Sequence, residues 1–339
     1  MSDESRRMDC PDCDDNDRAG INRRDFVRKV AGTALAGSLL PLVGVGGPRR
    51  AVAAPSPKST AETVVKRFYD SLDEKQRKVI CFEFDNPLRT KINANWPITP
   101  LKIGSDFTKD QQAMIDEIFR GVTSPDGYER FQKQMTEDSG GFEDYHVAVF
   151  GTPGTGKFER ELTGRHVTIR ADGDSVAGAA FGGPIVYGHG TGDGEKGLPG
   201  NVYYYQIQKA NEVFKALDGK QRTAALLAKA PNEAAVKIQG SSGQVPGLSV
   251  GELSKDQQGL VESVIKVILA PYREEDIDEA MAIMKDGGGL DALHMAFYEA
   301  GDLGKDHEWD IWRLEGPTFV WHFRGAPHVH TYVNIAKKA

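Results

Sequence analysis

Two short words recur in this chain at nearly the same spacing, and that recurrence restricts the fold more than any other feature. Leu72-Asp73-Glu74-Lys75-Gln76-Arg77 returns as Leu217-Asp218-Gly219-Lys220-Gln221-Arg222, 145 residues later. Thr108-Lys109-Asp110-Gln111-Gln112 returns as Ser254-Lys255-Asp256-Gln257-Gln258, 146 residues later. Each member of the second pair is a capping box, Thr/Ser-x-x-Gln, opening an apolar helix. Further on, Leu162-Thr163-Gly164 and Leu314-Glu315-Gly316 each precede a strand-patterned run, at an offset of 152. Self-similarity in the same order and at almost the same offset is the mark of a unit written twice.

The coarse order within each half agrees. The spacing predicts a long amphipathic helix (59–80; 204–230), a capped helix (109–121; 255–269) and a third helix (126–136; 273–286). Four short strands close each half: 145–150, 158–162, 166–170 and 175–181, then 292–298, 309–314, 318–323 and 328–334. Helices followed by strand meanders predict an α+β fold, two tandem pseudo-repeats of three helices and a four-stranded antiparallel meander. Residues 54–190 form the first half, 191–202 a Gly-rich junction and 203–339 the second half.

The first 53 residues read as an address. Arg23-Arg24 followed by Phe26-Val27 and a weakly apolar Gly/Ala-rich run resembles a twin-arginine signal. Ala51-Val52-Ala53 supplies an A-x-A cleavage pattern, so the mature chain starts near Ala54, with no stable membrane span after processing. The expected destination is periplasmic or extracellular, and the export machinery is an expected partner. Cys10-Pro11-Asp12-Cys13 leaves with that segment, so only Cys81 of the three cysteines remains and no internal disulfide can form. The whole chain carries a net charge of −7. Removing nine basic and eight acidic residues with 1–53 leaves −8, which opposes a nucleic-acid partner.

Gly151-Thr152-Pro153-Gly154-Thr155-Gly156-Lys157 fits a phosphate-binding loop in outline. Phe158 stands where Ser or Thr is needed to hold Mg²⁺, and an alternating strand follows instead of a helix. It reads as a turn between strands, and no nucleotide is expected.

The histidines are more informative. His166 is expected to open the run His166-Val167-Thr168-Ile169-Arg170, sharing a polar face with Thr168 and Arg170. His328-Val329-His330 is an H-x-H on a strand, so both imidazoles fall on one face within reach of one ion. If the halves pack together, His166 supplies a third nitrogen. Three neutral imidazoles with an open position suit copper, zinc or iron. Arg165, Arg170, Trp321 and His322 are candidates for surrounding or substrate contacts. A four-residue loop over Arg324–Pro327 would set Phe323 against His328 and Trp321 against His330; a one-residue slip would bring in His322. His189 reads as part of a Gly-rich linker, and Glu161, Glu308 and Glu315 are the acids near enough in sequence to serve as a base.

Taken together, several residues resemble a known family. They are Phe68 and Leu72 with Gln76-Arg77, Asp85 and Arg89, Trp96, Gln111-Gln112, Gly127-Tyr128 and the run Tyr145 to Gly151. Gly164-Arg165-His166-Val167, Gly316-Pro317 and His328-Val329-His330 complete the set. The pattern resembles the domain-of-unknown-function 3500 family of mostly bacterial exported proteins over roughly 60–335. The resemblance implies a Gly-His-His motif in the middle and a His-x-His motif at the end. Arg165 departs from the first, replacing an imidazole with a cation and leaving three candidate ligands. No reaction follows from the resemblance.

Three functions remain open on the sequence. One is an exported metal-dependent oxidoreductase or hydrolase acting on a small-molecule or polymer substrate. Another is a ligand-binding module using Trp309, Trp312, Trp321 and Tyr332 against a sugar or apolar ligand. The third is a structural envelope protein. No G-x-S-x-G elbow supports a serine hydrolase.

Overall fold

The computed structural model describes residues 54–190 and 200–337. The expected signal peptide and most of the expected junction lie outside the described residues. The chain folds into a mixed α/β structure with nine α-helices among the described residues and one eleven-stranded sheet. The helices are α1 (Thr60–Ser71), α2 (Glu74–Ile80), α3 (Ile103–Asp106), α4 (Lys109–Gly121), α5 (Pro125–Ser139), α6 (Tyr204–Ala216), α7 (Gly219–Ala225), α8 (Lys255–Leu269) and α9 (Glu274–Asp286). The first-half strands are β1 (Cys81–Phe82), β2 (His146–Gly151), β3 (Phe158–Gly164), β4 (Val167–Ala171) and β5 (Ile185–His189). The second-half strands are β6 (Leu226–Leu227), β7 (Leu248–Ser249), β8 (His294–Tyr298), β9 (Ile311–Gly316), β10 (Phe319–Arg324) and β11 (Val329–Ile335). None of the described helices is long and apolar enough to cross a membrane.

The sheet order is β1-β2-β3-β4-β5-β11-β10-β9-β8-β6, with β7 also on β8. Each half thus contributes an antiparallel meander of four strands, flanked on its outer side by one two-residue parallel strand. The halves join where β5 and β11 pair antiparallel, from Val329 opposite His189 to Val333 opposite Ile185. One face carries the helices over a large apolar core. The other is roofed by the irregular stretches that follow β1 and β6, whose Trp96, Ile98, Val236 and Ile238 pack on it.

Local chemistry explains where the expected helices break. Asp73 and Asp218 each accept the amide of the Gln three residues on, at 2.7 and 2.8 Å, and that Gln reaches back to the Asp amide. A second capping box inside each expected long helix therefore starts a new helix at 74 and at 219. Gln76 then pairs with Gln111, and Gln221 with Gln257, so the repeated words touch each other in both halves.

Of the eight expected strands, seven form within two residues of their expected bounds. The exception is 175–181, where a turn and a short 3₁₀ segment (Ala180–Gly182) stand instead, and the fourth strand of that half is β5. Asp172 fixes the turn by accepting the Val176 amide, which commits that backbone away from a ladder. Gly151–Lys157 is a hairpin loop between antiparallel β2 and β3 and does not enter a helix.

Candidate metal centre

His166 does not open a strand. It is the second residue of the two-residue turn Arg165-His166, closed by the Gly164–Val167 pair, and it adopts φ 60°. A non-glycine residue in that region is strained, and such strain persists only where surroundings over-determine it. Here the His166 amide donates to Ala94 O at 2.5 Å. The Arg165 carbonyl accepts from Tyr145 Oη (2.7 Å) and Gln134 Nε2 (3.1 Å). Gly164 must be glycine, since a Cβ there would lie 2.3 Å from the Tyr145 ring.

The turn brings His166 level with Gly188 of β5, which pairs across the seam with His330 of β11. Gly188 has no room for a side chain, as a Cβ would fall 2.2 Å from Val329 O. That bare position lets imidazoles from opposite sides of β5 meet above it. His166 Nε2 lies 3.0 Å from His330 Nε2, and His328 Nε2 lies 2.9 Å from His330 Nε2. All three side chains are buried, and their ligating nitrogens fall within 4.8 Å of one another. The ring centroids are 4.6 to 5.0 Å apart.

The outer nitrogens are committed. His166 Nδ1 sits 2.6 Å from Asp138 Oδ2 at the end of α5, and His330 Nδ1 sits 3.1 Å from Glu233 Oε1. Each therefore turns its Nδ1 side to a carboxylate and its Nε2 inward. Carboxylates that orient imidazoles in this way are the usual outer support of a metal site. Asp138 also accepts the Gly190 amide at 2.9 Å, which ties it to the end of β5. Burial, reinforced by the His166, Arg324 and Arg165 side chains, pushes His328 down to about 2. Burial and then the Arg324 charge hold His330 well below its usual range. Both rings are neutral, as ligation requires.

The remaining sequence candidates are dispersed. Arg165 stands beside the cluster. Arg170 lies in a buried ion network on the roofed face, 2.8 Å from Glu159 and 3.4 Å from Glu161. Trp321 is in the core under the helices, donating to Tyr187 Oη at 3.2 Å. His322 faces Tyr298, two residues along the strand from Arg324. The β10–β11 loop is longer than expected, so the register differs: Arg324, not Trp321, pairs with His330. Beyond Arg324 the Gly325 amide donates to Asp310 O at 2.8 Å, on the β9 side of the strand. Glu161 lies beside Arg170, Glu315 lies 2.5 Å from Arg313, and half-buried Glu308 pairs with Lys215.

Asp138, Glu233, Arg324 and Gly188 carry no spacing signal, because their roles depend on contacts far apart in the chain. His189 is no linker residue. It is buried in β5, takes the Val202 amide on Nδ1 (3.1 Å) and meets Glu137 with Nε2 (2.8 Å). Its place on the helix side of the sheet separates it from the inward nitrogens.

Fold and site together define a class: a mixed α/β protein whose single continuous sheet carries a buried three-histidine cluster at the seam between its halves. The match to a family pattern runs over residues 55–337, nearly the whole described chain. The chain belongs to that family, described as proteins of unknown function, DUF3500. No curated protein and no solved structure matches it.

Proposed function

We propose that the protein is exported by the twin-arginine route, loses residues 1–53, and holds one transition-metal ion between His166, His328 and His330. One observation carries the reading. Two imidazoles whose Nδ1 atoms face carboxylates bring their Nε2 atoms to 3.0 Å, and His328 brings a third Nε2 to 2.9 Å from His330, deep in the protein. Nitrogens so placed repel unless a proton or a metal ion lies between them, and three that converge offer a metal more ligands than one shared proton can use. Two of the nitrogen pairs lie at 2.9–3.0 Å and the whole set lies within 4.8 Å, bracketing the spacing of about 3.3 Å that metal–nitrogen bonds of about 2.0–2.1 Å would require. Copper, zinc and iron all accept imidazole, and three nitrogen ligands leave a position for substrate or water.

The protein acts, on this reading, as a metal-dependent oxidoreductase or hydrolase toward a small-molecule or polymer substrate. The ion would supply Lewis acidity or a redox couple. The chain's own residues orient the His166 and His330 rings through Asp138 and Glu233, exclude bulk water and fix His166 through the strained turn. Trp309, Trp312, Trp321 and Tyr332 are all buried in the packed interior, so the aromatic-wall alternative gains no support from them.

The two halves are read as a tandem duplication. Their mirrored strand order, the paired capping boxes and the glutamine pairs support it. Helix-layer contacts across the halves fit the same reading, with the Ser124 amide and hydroxyl donating to Pro271 O and Ala270 O at 2.9 and 2.7 Å.

Elemental analysis tests the central claim. Protein exported by its own signal and purified without chelator is expected to carry about one equivalent of copper, zinc or iron. The His328→Ala/His330→Ala variant is expected to carry almost none. Equal, trace metal in both would overturn the reading.

A further inference from the structure

Two guanidinium groups flank the histidine cluster with bonding capacity to spare. Arg324 is the β10 residue paired directly with His330, and Arg165 precedes His166 in the turn. Arg165 forms no ion pair among the described residues, and its buried Nε has no hydrogen-bond partner. Its Nη2 lies 3.1 Å from the point where Gly190 would carry a Cβ, a point also 3.1 Å from His166 Cε1. The guanidinium thus comes close beside the His166 ring and the Asp138 carboxylate, whose Oδ1 is 3.0 Å from the same point, and a side chain at 190 would crowd all three. Arg324 Nε lies 3.1 Å from Glu233 Oε2, yet its Nη2 is buried without a hydrogen bond.

The charge balance points the same way. Asp138 is spent on the His166 ring and the Gly190 amide, and Glu233 on His330 and Arg324. A divalent ion among neutral imidazoles would add two positive charges to those of two arginines, against two carboxylates. An excess of two positive charges around a buried three-histidine centre is costly unless an anion enters with it. Guanidinium donors match the planar or tetrahedral oxygens of such a group.

We infer that the centre takes an anionic substrate, whose carboxylate or phosphate oxygens sit between Arg165 and Arg324 beside the ion. This rests on the metal reading of the same cluster and names the chemical class that the site accepts. Arg165 then has a positive role at the position where the family pattern places a histidine: it exchanges a possible fourth ligand for a substrate anchor.

Cobalt(II) provides the test. Metal-free protein is loaded with Co²⁺, its content fixed by elemental analysis, and the visible ligand-field bands are followed while inorganic phosphate or, separately, acetate is added. A saturable spectral change with one of the two is expected, and which one identifies phosphate or carboxylate. In Arg165→Gln and in Arg324→Gln the dissociation constant should rise about tenfold or more, with Co²⁺ content unchanged. Arg165 is partly exposed, so its variant keeps the test alive if the other fails to fold. Full Co²⁺ loading with no response to either anion, or with unchanged affinity in Arg165→Gln, overturns the anion subsite and leaves the metal reading standing. Failure to bind Co²⁺ overturns the metal reading instead. Calorimetric titration of both anions into metal-free wild type and Arg165→Gln then decides the subsite: wild-type binding lost in the variant supports it, and equal or no binding overturns it.

Discussion

The turn Gly164-Arg165-His166-Val167 and the turn Gly316-Pro317-Thr318-Phe319 occupy equivalent places in the two halves, and only the first carries a candidate ligand. Their scaffolds match closely. A Cβ on Gly164 would strike Tyr145, just before β2, and a Cβ on Gly316 would lie 2.6 Å from Leu293, just before β8. Each turn also docks on the last part of a helix: His166 on Asp138 of α5, and Thr318 on Ile283 O of α9 at 3.1 Å. Near the first helix end His189 meets Glu137, whereas near the second Lys337 meets Asp286 at 2.7 Å. The architecture therefore offers the same corner twice. What makes one corner a site is the neighbouring strand, since the His328–His330 end of β11 lies beside the first turn alone.

The sharpest way to break this comparison is His330→Ala, because His330 touches both other imidazoles. Metal content should fall to a few per cent, with far-UV circular dichroism unchanged, while Thr318→Ala keeps full metal. Equal metal loss in both variants would mean that the two corners do not differ in the way described. Next in size, Asp138→Asn and Glu233→Gln should weaken metal binding by about 10–100-fold in competition with a chromophoric chelator. Unchanged affinity in both would remove the carboxylates from the site.

Glycine substitutions separate structure from chemistry. Gly164→Ala and Gly316→Ala should each cost about 1–3 kcal/mol in urea unfolding, from overpacking alone. Only the former should also lower metal affinity, since it displaces the turn that carries His166. A similar affinity loss in Gly316→Ala would show that the corners are mechanically coupled.

The smallest effects concern pH, and two regions act in opposite directions. Burial first, then the Arg313 and Arg324 charges, pushes His322 down to about 3, and His328 lies lower still. Below the ordinary value of 6.5 the unfolded chain takes up protons that these folded rings refuse, so metal-free stability falls as pH drops from 6.5. Near α9, burial and neighbouring carboxylates raise Asp172 to about 7 and Glu279 to about 8; burial, opposed by Arg273, leaves Asp276 at about 7. Between their ordinary values and these, the fold keeps protons that the unfolded chain has shed, so their stabilising share is lost as pH rises through 7–8. Glu279→Gln should therefore raise the melting temperature more at pH 8 than at pH 5. A uniform shift would refute the assignment.

Much of this was legible from residue patterns, and the boundary is physical. Capping boxes and alternation act within a few residues, so Lys109–Gly121, Lys255–Leu269 and seven strands follow from them. The H-x-H spacing likewise places His328 and His330 together, and the expectation that the halves pack together brings in His166. The fourth strand of the first half was misplaced because an Asx-type turn at Asp172 outcompetes strand propensity over 175–181. The β10–β11 register, with Arg324 opposite His330, lies beyond that reach because it depends on how the loop over residues 325–329 closes. Asp138, Glu233 and the open place above Gly188 exist only once the seam has formed.

That seam has a bearing on the origin and handling of the chain. The outermost strands, β1 and β6, are only two residues long, a short stub being one way to blunt a sheet margin against unwanted pairing. The inner margin of either half has no such protection, because β5 and β11 are each other's cover. A polypeptide of half this length would leave its fourth meander strand bare and would find the missing neighbour in a second copy of itself. A symmetric dimer of that kind would hold two identical corners, and fusing the copies into one gene would free each corner to diverge. Truncation at the middle of the chain should accordingly yield a self-associating product, not a stable monomer.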